Sequence, residues 1–200
     1  VTIRRERRDA VEHRRLILQT AQSLFNQYGV QPVSMHQIAK KAGIGQATLY
    51  RKYAHKGDLC HDILHDYIQQ LMDKINNYLL AHKQAPPEEK IAGILVHWID
   101  AVEEKSGLII AMESKMSCED DRGNFFHSTI YQFFRNKISE IIIEILNSKD
   151  SPPSIDPDLA AHSLICCLSP IGYFHIKQEK NYTVDEMKQR VLQLCRFPWT

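Results

Sequence analysis

Gln46, Ala47 and Thr48 stand in a row directly after the turn residues Gly43, Ile44 and Gly45, and Tyr50, Arg51, Lys52 and Lys56 follow closely. These are residue types that read a duplex. A glutamine amide can make a paired contact to adenine, an alanine or threonine methyl can pack on the methyl of thymine, and a threonine hydroxyl can bond a base or a phosphate. Tyrosine, arginine and lysine supply a phosphate-facing flank, which sets register without carrying a sequence code. To reach a groove, such residues must lie in the first turn of a short helix that a sharp turn sets off from the helix before it. The sequence offers both parts. Ser34 with Gln37 three residues on is a capping box that opens one helix, with Ile38 and Ala42 on its apolar side. A very short second helix is expected over about residues 46–51.

Charge points the same way. Residues 1–56 hold eleven lysines and arginines against Glu6, Asp9 and Glu12, an excess of eight, although the whole chain carries only +1. A basic head on an acidic body suits a polyanion partner. An arginine-rich solvated tail would produce part of the same asymmetry, since six of the eleven lie before Leu16.

Other chemistries are poorly supported. Gly43 and Gly45 lack the third glycine of a dinucleotide loop and follow a helical pattern, not a strand. His61 and His65, four residues apart, could bind a metal from one helix face, with Asp58 and Asp62 near. Their spacing fixes no third ligand, so they are read as exposed or pocket-lining, and no metal is assigned. No nucleophile elbow, phosphate loop or H-E-x-x-H occurs, and no catalytic residue, enzyme activity or cofactor is expected. Five cysteines without framework spacing read as reduced thiols of a cytoplasmic protein. No apolar run approaches bilayer length and no apolar stretch follows the N-terminal arginines, so neither a membrane span nor a secretory signal is expected.

The elements that must position the reading residues are all helices. Apolar residues recur at helical spacing along most of the 200 residues. Ile17, Ala21, Leu24, Phe25 and Tyr28 share a face that Gly29 terminates. A fourth helix is expected over about residues 56–80, a fifth after Pro86 and Pro87, a short sixth over about 106–117 and a seventh over about 125–146. An eighth is expected to start at Asp156 and Pro157, and a ninth at the capping box of Thr183 and Glu186, making about nine in all. The fold class is all-α, with a three-helix DNA-binding head over residues 1–57 and a helical effector and dimerisation body over 58–200.

The ordered set I-L-Q-T-A-Q-S-L-F, Y-G-V, S-M-H-Q-I-A-K-K-A-G-I-G-Q-A-T-L-Y and K-x-D-L, spanning about fifty residues, resembles the TetR/AcrR family of bacterial transcriptional repressors. The remainder resembles the family in length and helical order. The resemblance implies binding of a palindromic operator as a homodimer and release when a small molecule enters the body. Position by position it implies a phosphate contact at Ser34 and backbone or base contacts from Met35 and His36. It also implies base and phosphate reading by Gln46, Ala47 and Thr48, phosphate contacts from Tyr50 and Lys52, and the family's helix-four lysine at Lys56. His55 and Gly57 depart from the pattern and predict a weakened start to the fourth helix.

Aromatic residues on the fifth and seventh helices exceed what a two-sided bundle contact needs. They predict a mainly apolar effector cavity bounded by Trp98, Met112, Phe126, Tyr131 and Phe134, with His97 or Glu113 as a polar handle. Ordinary core packing is the competing reading for each of them. Leu159, Leu164, Ile165, Leu168 and Ile171, with Met187, Val191 and Leu194, predict a four-helix dimer interface. The alternatives to a ligand-responsive repressor are a helical adaptor for a protein partner and a metal-responsive regulator.

Overall fold

The computed structural model describes residues 2–113, 125–147 and 155–195, with side chains over 11–110, 126–147 and 155–194. Ten α-helices occupy the described residues: α1 (Thr2–Tyr28), α2 (Met35–Lys41), α3 (Gln46–Lys52), α4 (Lys56–Ala81), α5 (Pro87–Glu104), α6 (Ser106–Glu113), α7 (Thr129–Asn147), α8 (Pro157–Cys167), α9 (Pro170–Lys180) and α10 (Val184–Cys195). A 3₁₀ turn, Phe125–His127, leads into α7. No single helix among them is long and apolar enough to cross a membrane.

The expected eighth helix is two. Pro170 has no N–H to continue α8 and disfavours helical backbone at Ser169. Ser169 instead caps α9, its hydroxyl accepting from the Gly172 N–H at 3.2 Å. The caps read from sequence all form: Ser34 with Gln37 on α2, Asp156 on α8, and Thr183 with Glu186 ahead of α10. Gly29 ends α1 at φ +80°, where a side chain would be strained.

Two compact units result. The first comprises Val1–Tyr67 and Lys105–Ser117, the second Ile68–Glu104 and Cys118–Thr200. Ile17, Leu18, Ala21, Leu24 and Phe25 of α1 bury one stripe in the first unit. They share its core with Ile38 of α2, Leu49 of α3, and Leu59 and Ile63 of α4. Leu108 of α6 joins the same core, and the Lys105 ammonium lies 4.3 Å from the Tyr67 ring centroid. The first unit therefore contains a helix that sequence spacing attached to the body.

In the second unit α5 packs against α7 and α10, and α7 against α8. Ile94, Leu95, Ile99, Ile138 and Ile142 are fully buried there. Met187 and Val191 of α10 are also buried within the chain, so they are not available to the expected four-helix interface. Leu159 and Ile171 remain 62% and 67% exposed.

Candidate nucleic-acid interface

The candidate interface lies on α2 and α3. Ser34 sits in extended backbone and its hydroxyl accepts from the Gln37 N–H at 3.2 Å, while the Gln37 carboxamide accepts from the Ser34 N–H at 2.7 Å. Those reciprocal bonds fix where α2 begins and bring His36 to the surface in its first turn. Lys40 and Lys41, in its last turn, are also exposed. Gly43 then takes φ +66°, turning the chain where nothing stands within 4 Å of a hypothetical Cβ. Gly45, which the pattern paired with it, has ordinary extended backbone (φ −65°) as the N-cap of α3.

α3 is held from beneath and open above. Leu49 is fully buried and Tyr53 nearly so, which leaves Gln46, Ala47, Tyr50, Arg51 and Lys52 exposed and Thr48 half-buried. The Gln46 amide nitrogen bonds Nδ1 of His36, joining the first residue of α3 to the first turn of α2. Ser34, His36, Gln46, Ala47, Tyr50, Arg51 and Lys52 are thus all exposed, Ser34 as the cap of α2 and the others on two consecutive short helices.

Lys56, expected on the phosphate-facing flank, is bonded within the chain. Its ammonium donates to the carbonyls of Val30 (2.7 Å), Gln31 (2.9 Å) and Val33 (2.8 Å). These bonds turn the ammonium toward the loop between α1 and α2. The start of α4 is accordingly secured despite His55 and Gly57. The Asp58 carboxylate also accepts from the His55 N–H at 2.9 Å, which is half of a capping box.

Beneath α3 lies a polar cluster that sequence reasoning missed. The Arg14 guanidinium donates to Asp62 at 3.1 Å and to both oxygens of Asp66 at 3.0 and 3.1 Å. The Tyr53 hydroxyl donates to Asp62 at 2.8 Å. The Arg14 hydrogen bond holds the Asp66 carboxyl below the usual carboxylate range. Burial first, and Asp62 second, push the Tyr53 phenol well above its ordinary value. The Lys52 ammonium is shifted down, by burial and then by the charge of Arg14. A signal for Arg14 existed: it is in helical register with Ile17, Leu18, Ala21, Leu24 and Phe25, so a charge there needs partners.

The residues predicted to line a cavity separate into three environments. Trp98 and Phe134 are buried, with ring centroids 5.0 Å apart, and the Trp98 indole N–H donates to the Leu168 carbonyl at 2.7 Å. Phe126, partly exposed, meets Tyr131 edge-on at 5.5 Å, and the Tyr131 hydroxyl bonds Nδ1 of His162. His97 donates from Nδ1 to the Gly93 carbonyl at 2.7 Å and lies 5.1 Å from the Tyr78 ring, which itself stacks on His82 at 4.1 Å. The side chains of Met112 and Glu113 lie outside the described residues. His162 and Tyr78 were not anticipated. For His61 and His65, the nearest approach to a ligand set is His65 Nδ1 at 3.7 Å from Asp66, and no group of three metal-binding side chains occurs among the described residues.

A short capped helix, a turn at Gly43 and an exposed second short helix make a helix-turn-helix. Residues 17–63 match the profile of bacterial regulatory proteins, tetR family. A helix-turn-helix-type transcriptional regulator of Staphylococcus aureus (strain MRSA252) is 26% identical over 96% of this chain and 96% of its own length. Another, from the bovine strain RF122 / ET3-1, is 47% identical over 58 residues, 29% of this chain and 31% of its own. Among solved structures, the fatty acid degradation regulator FadR of Bacillus halodurans superposes with a TM-score of 0.66 at 18% identity, over 93% of this chain and 95% of that one. A transcriptional regulator of Saccharomonospora viridis in complex with choline gives 0.68 at 20%, over 94% and 97%. Thermus thermophilus FadR, in complex with lauroyl-CoA, gives 0.62 at 18%, over 91% and 92%. Residues 17–63 thus carry a helix-turn-helix segment of the tetR type, and the chain as a whole is similar to helix-turn-helix-type transcriptional regulators.

Proposed function

We propose that this regulator is a cytoplasmic repressor that binds a palindromic operator as a homodimer and is released by a small, mainly apolar effector. The observation that carries the reading is α3 itself. Its buried side is anchored by Leu49, while Gln46, Ala47 and Tyr50 stand exposed at its start and middle and Arg51 and Lys52 at its end. Base-reading groups lead and phosphate-binding groups follow, the order that an inserted recognition helix needs. Residues 1–57 would then read DNA, and residues 58–200 would hold the effector and the partner subunit.

Two features support the effector part. Trp98, Phe134, Phe126 and Tyr131 give the second unit a large aromatic area, with His97 as a polar group on the same helix as Trp98. Solved neighbours hold lauroyl-CoA and choline, an acyl chain and a quaternary ammonium that aromatic linings accommodate.

The test uses the full chain and a duplex library with a randomised centre. Wild type is expected to enrich a two-fold symmetric sequence and to bind a fixed mixed-sequence duplex more weakly, with strong salt dependence. Tyr50→Ala and Lys52→Ala should weaken both kinds of binding, because phosphate contacts carry no sequence code. Gln46→Ala should relax base preference, at a cost of about 1–3 kcal/mol on the selected site. No duplex binding even at low salt would overturn the reading.

A further inference from the structure

We propose that His36 is a positioning residue for base recognition: it orients the Gln46 amide, and so sets which base edge that amide reads. The proposal rests on the DNA-binding role of α3 proposed above and goes beyond it. His36 is in the first turn of α2 and Gln46 is the first residue of α3, ten positions on, and both are exposed. Their side chains are joined by a bond between the amide nitrogen of Gln46 and Nδ1 of His36.

The chemistry of the amide gives that bond a consequence. A carboxamide reads adenine with its oxygen, which accepts from N6, and one of its two N–H groups, which donates to N7. The second N–H, on the far side of the nitrogen from the oxygen, takes no part. An amide nitrogen can only donate, so this pairing uses the imidazole tautomer whose Nδ1 is the acceptor. Nδ1 can engage the far N–H and leave the reading edge whole. A free glutamine side chain rotates its amide between two orientations that exchange donor and acceptor. Tied to an Nδ1 that accepts, it keeps one. The capping box of Ser34 and Gln37 sets the position of the first turn of α2, and Gly43 sets the angle at which α3 leaves it, so the pairing is built into the turn. His36 then acts on sequence choice without touching a base.

Two substitutions separate this from a structural or a direct-contact role. His36→Leu keeps a branched side chain at the position but has no acceptor. His36→Asn places a carboxamide oxygen close to where Nδ1 stands, restoring one. Each full-length variant, with wild type and Gln46→Ala, is used to select from the randomised duplex library, and melting temperatures confirm that each is folded. Gln46→Ala is expected to lose preference at one base pair per half-site. His36→Leu should lose about fivefold or more of the discrimination at that same base pair, and His36→Asn should recover most of it. The other base pairs should keep their wild-type preferences. The proposal is overturned if His36→Leu selects the wild-type pattern, or if the leucine and asparagine variants are equally defective. It is also overturned if the relaxed base pair differs from the one lost in Gln46→Ala, which would mean that His36 reads DNA itself. A Gln46→Ala variant that selects like wild type would overturn it while leaving the repressor reading standing. A wild type that enriches no sequence removes the repressor reading and this inference together.

Discussion

Lys56 donates to three loop carbonyls 23 to 26 residues before it, so its charge ties the start of α4 to the loop between α1 and α2. Hydrogen bonds from a charged donor contribute about 1.5–3 kcal/mol each in favourable settings, less where solvent competes. Lys56→Met keeps most of the apolar stem and removes all three. It is expected to lower unfolding stability by about 2 kcal/mol. The slope of log affinity against log salt on a mixed-sequence duplex should stay at the wild-type value, whereas Lys52→Met should reduce it by about one. Equal slope losses for the two variants would mean that Lys56 meets a phosphate after all. The contrast with Ser34 shows what a sequence discloses. The partner of Ser34 is three residues away, so spacing alone reveals the bond. The partners of Lys56 are close only after α1 has turned at Gly29, and no local pattern carries that.

At the scale of elements, α1 and α4 are joined by Arg14, Asp62, Asp66 and Tyr53. Arg14 lowers the Asp66 carboxyl below its ordinary value, and the sign of the pH dependence follows. A carboxyl depressed in the folded protein binds fewer protons there than in the unfolded chain, so its contribution is present above about pH 4 and fades as pH falls through the lower folded value. Both charged partners are a third or more exposed, which limits the worth of the pair to about 1 kcal/mol. Arg14→Met should therefore be about 1 kcal/mol less stable than wild type in urea unfolding at pH 7. The gap should narrow at pH 3, and a gap that widens in acid would show that Arg14 does not stabilise the fold through these carboxylates. Helix starts and stops were legible because caps and prolines act locally. Two assignments were not. Pro170 splits the expected eighth helix, and α6 contributes Leu108 to a core made mostly by residues more than forty positions away. Helical spacing shows that Leu108 needs covering; it does not show by what.

At the scale of the whole molecule, the homodimer proposed above needs a surface that pairs two copies. The expected interface drew on Met187 and Val191, but α10 buries both within its own chain. Leu159 on α8 and Ile171 on α9 stay well exposed, with Cys167 between them in sequence and also exposed. Large aliphatic side chains left open on adjacent helices suit a two-fold contact, where each residue meets the same patch on its partner. A dimer carrying two reading helices about one DNA turn apart, roughly 34 Å, engages both half-sites of a palindrome. Once the first half-site is bound, the second event is intramolecular, so dimerisation raises operator affinity without adding a contact to either half. Ile171→Glu, which introduces a charge at that face but lies outside the reading helices, is expected to sediment as a monomer at micromolar concentration. Binding to the full palindrome should fall about a hundredfold, while binding to an isolated half-site should stay near the wild-type value. If the variant remains a dimer, the two-fold face lies elsewhere. If it is monomeric yet binds the palindrome as tightly as wild type, each copy reads DNA alone and the symmetric operator is not the target.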